Sequence, residues 1–259
     1  MSIFRANSIN PWKGKLIIKT VTLLVILFIG APAGFCQEEP FTISTSYNNL
    51  LSNPQKTGML DLLMYELFGR LGLPCELVYT ETLNSIYDVN SGVLDGDINR
   101  IEGMEATYPN LVRVPEANMV MEFVAFSKKD IPINGWESLK DLDIGIVRGW
   151  KILEDHTRDF PFVTFVPTEV ELFTMLDKGR IDVALYSKLT GYAVVQDLAL
   201  TGIRHLSPPL ARREMFLYVH SSHKNLVTPL AETLREIKAD GTYDRIVADT
   251  TRGYIPSDR

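Results

Sequence analysis

The chain has 259 residues, 46% of them hydrophobic and 22% charged, with a formal net charge of −6. That apolar content suits a folded globule. The acidic balance argues against nucleic acid or an anionic membrane surface as partner.

The first 19 residues carry Arg5, Lys13, Lys15 and Lys19 and no acid, and an apolar run from Val21 to Ile29 leads to Gly30-Ala31-Pro32-Ala33. A positive flank, a short apolar core and an Ala-x-Ala exit make a secretory signal peptide. The core is shorter than the roughly 20 apolar residues that span a bilayer, although an uncleaved anchor is the alternative. Phe35 disfavours a lipid anchor on Cys36. Residues 1–33 are therefore expected to be removed on export to the periplasm, leaving a chain that starts near Gly34. Their loss removes four cations and no anion, which moves the formal charge from −6 to −10.

Export makes Cys36 and Cys75 informative. Each precedes a strand-like run, Phe41–Thr45 and Glu76–Tyr79. If those strands are parallel neighbours their starts lie together, and an oxidising compartment permits a disulfide. The other reading is one free thiol and one buried small hydrophobe.

Between the two runs, Leu60, Leu63, Met64, Leu67 and Leu71 recur at helical spacing, and Gly72-Leu73-Pro74 stops the helix. A helix near Leu83–Asn90 and a strand from Leu94 follow, with Asn99 and Arg100 at its exit. Met119 to Phe126 is a long apolar stretch. The βα pattern then restarts: strand Asp143–Val147, turn Arg148-Gly149-Trp150, a helix, strand Val163–Val166, helix Glu169–Asp177 and strand Ile181–Leu185. A strand Met215–His220 and a helix from Leu226 to Lys238 close the chain. Strands alternating with helices mean βαβ units and parallel sheets, with ligands outside the carboxyl ends of the strands. Two such units, Ser91–Ile98 and Leu176–Leu185, suggest two α/β lobes with a site between them.

Particular motifs carry a resemblance. Ser138-Leu139-Lys140-Asp141-Leu142 followed by a strand and Arg148-Gly149 resembles the SLxDLxGxxVGVxxGT segment of family 3 extracellular solute-binding proteins, the periplasmic receptors of polar amino acid ABC transporters. Gly179-Arg180-Ile181-Asp182-Val183-Ala184 is similar to that family's GxVDAxx, and Lys238-Ala239-Asp240-Gly241-Thr242-Tyr243-Asp244-Arg245-Ile246 to its KxDGTxDxI ending. The resemblance implies an α/β, periplasmic binding protein type II-like fold. In it, two lobes, each with a mainly parallel sheet flanked by helices, are joined by a two-strand hinge. It implies a signal peptide over 1–33, a first lobe over 34–125, a second over 126–215 and a return segment over 216–259. It also implies a monomer that takes an amino acid or other small carboxylate to an ABC transporter permease, with no cofactor or metal. A stand-alone sensory receptor and a dehydratase-like periplasmic enzyme are the alternatives on the same scaffold.

The departures concern specificity. The family's GFDVDL corresponds to Gly58-Met59-Leu60-Asp61-Leu62-Leu63, so both of its aspartates have become leucine. Thr107 stands where the arginine of its TxER motif falls, Trp150 replaces the threonine of its GT turn, and Tyr186 stands where an aspartate often holds the ammonium. Arg100 is the candidate for gripping a carboxylate, because a guanidinium captures one bidentately; the alternative is a surface ion pair with Glu102 or Glu105. Tyr47 is a candidate aromatic wall. Arg148 and Trp150 sit at a strand-to-helix turn that favours an anion, and Trp150 and Tyr186 offer stacking surfaces. Glu122 is a candidate for a ligand cation, with a salt bridge across the hinge as the other reading. His220 and His223 lack acidic or thiolate partners nearby and make no metal signature.

Overall fold

Residues 39–80 and 82–254 are described by the computed structural model. The expected signal peptide and Cys36 lie outside them. Three parallel strands open the fold: β1 (Phe41–Thr45), β2 (Cys75–Tyr79) and β3 (Gly96–Arg100). The sequence spacing forces crossovers between them, and α1 (Met59–Arg70) and α2 (Thr82–Asn90) supply these. Phe41 pairs with Cys75 and Ile43 with Gly96, so β1 is central and all three strands point their carboxyl ends the same way. Leu60, Leu63, Met64, Leu67 and Phe68 of α1 are fully buried against them.

Helix α1 starts where it does for a steric reason. A Cβ on Gly58 would stand 2.6 Å from the backbone of Leu51, so only glycine allows the preceding loop to cross the helix start.

The next strands are β4 (Leu111–Arg113) and β5 (Met119–Ser127). Then come β6 (Ile144–Val147), α3 (Lys151–His156), β7 (Val163–Val166), α4 (Glu169–Asp177) and β8 (Val183–Ser187). The chain continues through α5 (Lys188–Asp197), β9 (Arg204–His205), β10 (Ala211–His220), α6 (Val227–Ala239) and α7 (Thr242–Thr251). The sheet order is β2-β1-β3-β10-β5-β8-β6-β7, with β4 against β10 and β9 against β5. In the second half β6 runs parallel to both β7 and β8.

Two antiparallel strands, β5 and β10, join the halves. Residues 211–215 of β10 pair with 119–123 of β5, while 216–219 pair with β3. Beyond Phe123, β5 pairs instead with β8. Thus β10 joins the first parallel group at one end, β5 joins the second at its far end, and the two pair with each other between, which is the expected two-strand hinge.

Several elements differ from the sequence reading. The expected single closing helix is two, α6 and α7. Helix α5 was not anticipated, because its buried residues Thr190, Gly191, Tyr192, Ala193 and Val195 leave no clear apolar stripe. Gly191 in its middle lowers helix propensity, yet a Cβ there would meet Phe126 at 2.5 Å, so packing overrides propensity.

Candidate functional site

The carboxyl end of β3 carries a bulge that sets the site. Tyr218 of β10 pairs with Asp97, but Phe216, two residues earlier, pairs with Arg100, three residues later. The extra residue on β3 is accommodated by Asn99, whose φ is +70, a conformation asparagine tolerates better than most residues. Residues two apart on β10 share a face, so their partners Asp97 and Arg100 do too. In a regular strand they would point to opposite faces. The bulge re-aims Arg100 onto Asp97.

Arg100 Nε donates to Asp97 Oδ2 at 2.6 Å, with the aspartate side chain fully buried and the arginine 14% exposed. Burial raises the Asp97 pKa, against the pull of the Arg100 charge and the hydrogen bond from Ser85. Ser85 Oγ on α2 donates to Asp97 Oδ1 at 2.8 Å and also meets Ser44 Oγ of β1 at 2.7 Å. The ion pair joins three elements of the first lobe. Glu102 and Glu105 are engaged elsewhere, Glu102 by Arg113 and Glu105 by the Tyr218 hydroxyl.

Tyr47 leaves the end of β1 half-buried. Asn99 Nδ2 donates to its hydroxyl oxygen at 2.8 Å, and Asn118 Nδ2 donates to Asn99 Oδ1 at 2.8 Å. Desolvation raises the Tyr47 pKa, partly opposed by that hydrogen bond and by the nearby Arg100 charge. Asn118 sits where β5 leaves the first lobe, its backbone N–H bonded to the Met215 carbonyl of β10 at 2.8 Å.

From the second lobe, Trp150 and Tyr186 come together with their ring centroids 4.7 Å apart. Trp150 also lies edge-on to Phe123 of β5 at 5.7 Å, and Tyr186 edge-on to Phe173 of α4 at 5.9 Å. Burial raises the Tyr186 pKa, with smaller contributions from the Glu169 charge and from Tyr47. Tyr47 is thus tied through Asn99 to the exit of β3 in one lobe, while Trp150 and Tyr186 pack together in the other.

Arg148 and Glu122 have partners of their own. Arg148 is exposed, with its guanidinium 5.6 Å from the Phe165 ring of β7. It lines an open recess of about 400 Å³ with Lys151, Glu154, Asp155, Arg158 and Phe165. The turn expected to receive an anion already holds one: Gly149 N–H donates to Glu154 Oε1 at 2.7 Å. That bond, with the help of Lys151, holds the Glu154 carboxyl below its ordinary pKa. Glu122 accepts from Arg212 at 2.7 and 2.9 Å and faces Lys188 at 3.5 Å. It ties β5 to β10 and to the start of α5, which is the cross-hinge bridge. A separate cavity of about 270 Å³ beside the hinge strands is lined by Met119, Val120, Glu214, Phe216, Lys238 and Tyr243, among others, and by none of the expected site residues.

Cys75 is half-buried and its thiol approaches the Met64 carbonyl at 3.9 Å. Desolvation pushes its pKa up to about 11. Among the described residues no cluster of three or more His, Cys, Asp or Glu is arranged to hold a metal, and no helix is long and apolar enough to cross a membrane.

The residues that sequence reasoning passed over are Asp97, Asn99 and Asn118. The only hint was the concentration of polar residues at the exit of a buried strand, Asp97-Ile98-Asn99-Arg100.

Two parallel groups of strands joined by two crossing strands define a periplasmic binding protein type II-like fold. Solved structures share it. A histidine kinase sensor domain with similarity to periplasmic binding proteins superposes with a TM-score of 0.65 at 16% identity, covering 82% of this chain and 95% of that one. An ancestral arginine-binding protein bound to arginine gives 0.65 at 18% identity, covering 83% and 98%. The arginine-, lysine-, histidine-binding protein ArtJ from Geobacillus stearothermophilus gives 0.63 at 16%, covering 82% and 94%. In sequence, an uncharacterized protein of Shewanella oneidensis is 25% identical over 195 residues, 66% of this chain and 73% of that protein. No family model matches the chain.

Proposed function

We propose that the protein is a periplasmic solute-binding protein that captures a small carboxylate-bearing molecule between its lobes and delivers it to an ABC-type transporter. The observation that supports this reading is what the two halves present: Arg100, held by Asp97, and Tyr47 at the strand ends of one, and Trp150 packed on Tyr186 in the other, with β5 and β10 crossing between. A ligand that touches both walls favours the closed arrangement. We take the lobes as 34–125, 126–215 and 216–259; the change of partner on β10 between Met215 and Phe216 supports the last boundary.

Two of the nearby candidates for a ligand cation are internally committed, Asp97 to Arg100 and Glu122 to Arg212 and Lys188. An α-ammonium would have to compete for them. Organic acids are therefore expected to bind better than common α-amino acids. A thermal-shift screen of amino acids, organic acids and amines on the exported protein tests this. Stabilisation by an acid that is not consumed supports the receptor; turnover of the stabilising compound would replace it with an enzyme. The similarity to a sensor domain favours a second reading, a receptor that signals without a transporter. Loss of uptake on deletion of the gene separates the two, because a pure sensor leaves transport intact.

Export and the proposed Cys36–Cys75 bridge share one test. Phe41, at the start of β1, pairs with Cys75, and a bridge would stabilise the fold by roughly 2–4 kcal/mol. Intact mass spectrometry of unreduced exported protein should give a chain starting near Gly34 and lighter by two hydrogens than its reduced form. A mass that retains Lys13 and Lys15 rejects cleavage, and two alkylatable thiols reject the bridge.

A further inference from the structure

The hydrogen bonds at Tyr47 have a direction. Asn118 Nδ2 donates to Asn99 Oδ1, and Asn99 Nδ2 donates to the Tyr47 oxygen. Tyr47 accepts within the protein, so its own proton points elsewhere. The chain ends inside at Asn118, which is fully buried and whose Oδ1 has no partner among the described residues. Running the chain the other way would bury an unsatisfied NH2 at that end instead of a carbonyl oxygen. Orphaned N–H groups are the rarer and costlier case. The left-handed backbone of Asn99 and the neighbouring bulge hold the middle member in place, the kind of local strain that persists where the surroundings over-determine it.

We infer that Asn118 and Asn99 are positioning residues that fix Tyr47 as a hydrogen-bond donor to the cleft, so that the site selects an acceptor oxygen such as a carboxylate over the matching amine. This rests on reading the cleft as the solute site. Neither asparagine has to touch the ligand. Tyr47 keeps its proton at neutral pH, as a phenol ordinarily does, and burial only raises its pKa further. Its O–H and the Arg100 charge then favour the same partner, an anionic oxygen.

The test uses matched probes on the exported protein: hexanoate, hexanamide and hexylamine, with phenylacetate, phenylacetamide and phenethylamine as an aromatic set. Calorimetric titration should rank the carboxylates first. Tyr47→Phe removes only the donor and should weaken carboxylate binding roughly ten- to a hundredfold. Asn99→Gly suits the left-handed backbone at that position and removes the donor that occupies the Tyr47 oxygen, so Tyr47 can then accept from a ligand N–H as well as donate. The carboxylate-to-amide preference should therefore shrink in this variant, a readout that a purely structural role would not move. Should Asn99→Gly fail to fold, Tyr47→Phe decides alone. Unchanged carboxylate affinity in Tyr47→Phe, an unchanged preference in folded Asn99→Gly, or an amine preferred by the wild type would overturn the inference and leave the solute-binding reading standing. No binding by any probe would overturn both.

Discussion

Arg100→Ala is expected to lower the unfolding free energy by roughly 3–5 kcal/mol, the usual cost of removing one partner of a buried ion pair. The loss is large because Asp97 is fully buried and would keep only Ser85 as a side-chain donor. Ligand affinity should fall by roughly 2–5 kcal/mol if the guanidinium meets the ligand's anionic group. Arg100→Lys should recover only part of either loss, since the forked geometry goes with the guanidinium. Chemical denaturation at several pH values adds a check of sign. Burial already raises the Asp97 pKa in the folded state, and removing Arg100 raises it further. A carboxyl with a raised folded pKa favours folding fully below its unfolded value, near 3.9, and loses that contribution as pH climbs through the folded value. The penalty of Arg100→Ala should therefore be smallest near pH 4 and grow towards neutrality. A penalty that does not change with pH would mean that Asp97 does not carry it.

How far the sequence reaches is clear from the two ends of this pair. The order of strands and helices was legible because short strand-like runs alternate with stretches of helical spacing, punctuated by stops such as Gly72-Leu73-Pro74. Arg100 was legible as a cation at a strand exit. Its partner was not: Asp97 lies three residues back, on the opposite face of any regular strand. Only the bulge, set by pairing with β10 more than a hundred residues away, turns the two together. Register between distant strands leaves no periodic mark in a single sequence. The same holds for the Asn118–Asn99–Tyr47 chain, whose members come from three different segments. For the Arg148-Gly149-Trp150 turn the limit is different. Its sequence suits an anion, but Glu154 five residues after Gly149 supplies one from within. A local motif shows what a turn can bind, while the fold decides what already occupies it.

The fold also divides the candidate site residues into a rigid and a responsive group. Asp97, Ser85 and Ser44 are buried and mutually bonded within one lobe, so Arg100 is presented in a fixed orientation whatever the lobes do. Trp150 and Tyr186 pack on Phe123 and Phe173 in the other lobe. Between them run only two strands, braced by Glu122 with Arg212 and Lys188. Preformed walls on a narrow hinge suit capture by closure, since the ordering needed for binding is confined to a few backbone torsions.

The second large effect is expected at Asp61, which stands in α1 between the two positions where the family pattern has aspartates and this chain has leucines. Its side chain is fully buried, and its two oxygens gather the loop that follows Tyr47. Oδ1 accepts from Ser52 Oγ at 2.6 Å, while Oδ2 accepts from the backbone N–H of Asn53 at 3.1 Å and of Gly58 at 3.0 Å. The chain between Asn48 and Gly58 has no helix or strand of its own, so these bonds take the place of a ladder. Asp61→Ala would strand a buried serine hydroxyl and two backbone donors at once. Hydrogen bonds to a charged acceptor are worth about 1.5–3 kcal/mol each and do not add fully, which gives an expected destabilisation of roughly 3–5 kcal/mol. Asp61→Asn should cost less, because its amide keeps one acceptor but must turn a donor towards Asn53 and Gly58. Hydrogen exchange gives the decisive reading. The amides of Asn53 and Gly58 should lose protection in Asp61→Ala more than those of Leu77 and Ile98 in the strands, and ligand affinity should fall as Tyr47 loses its support. Uniform loss of protection across the lobe would mean that Asp61 serves the core as a whole, with no special hold on the loop that forms the cleft wall.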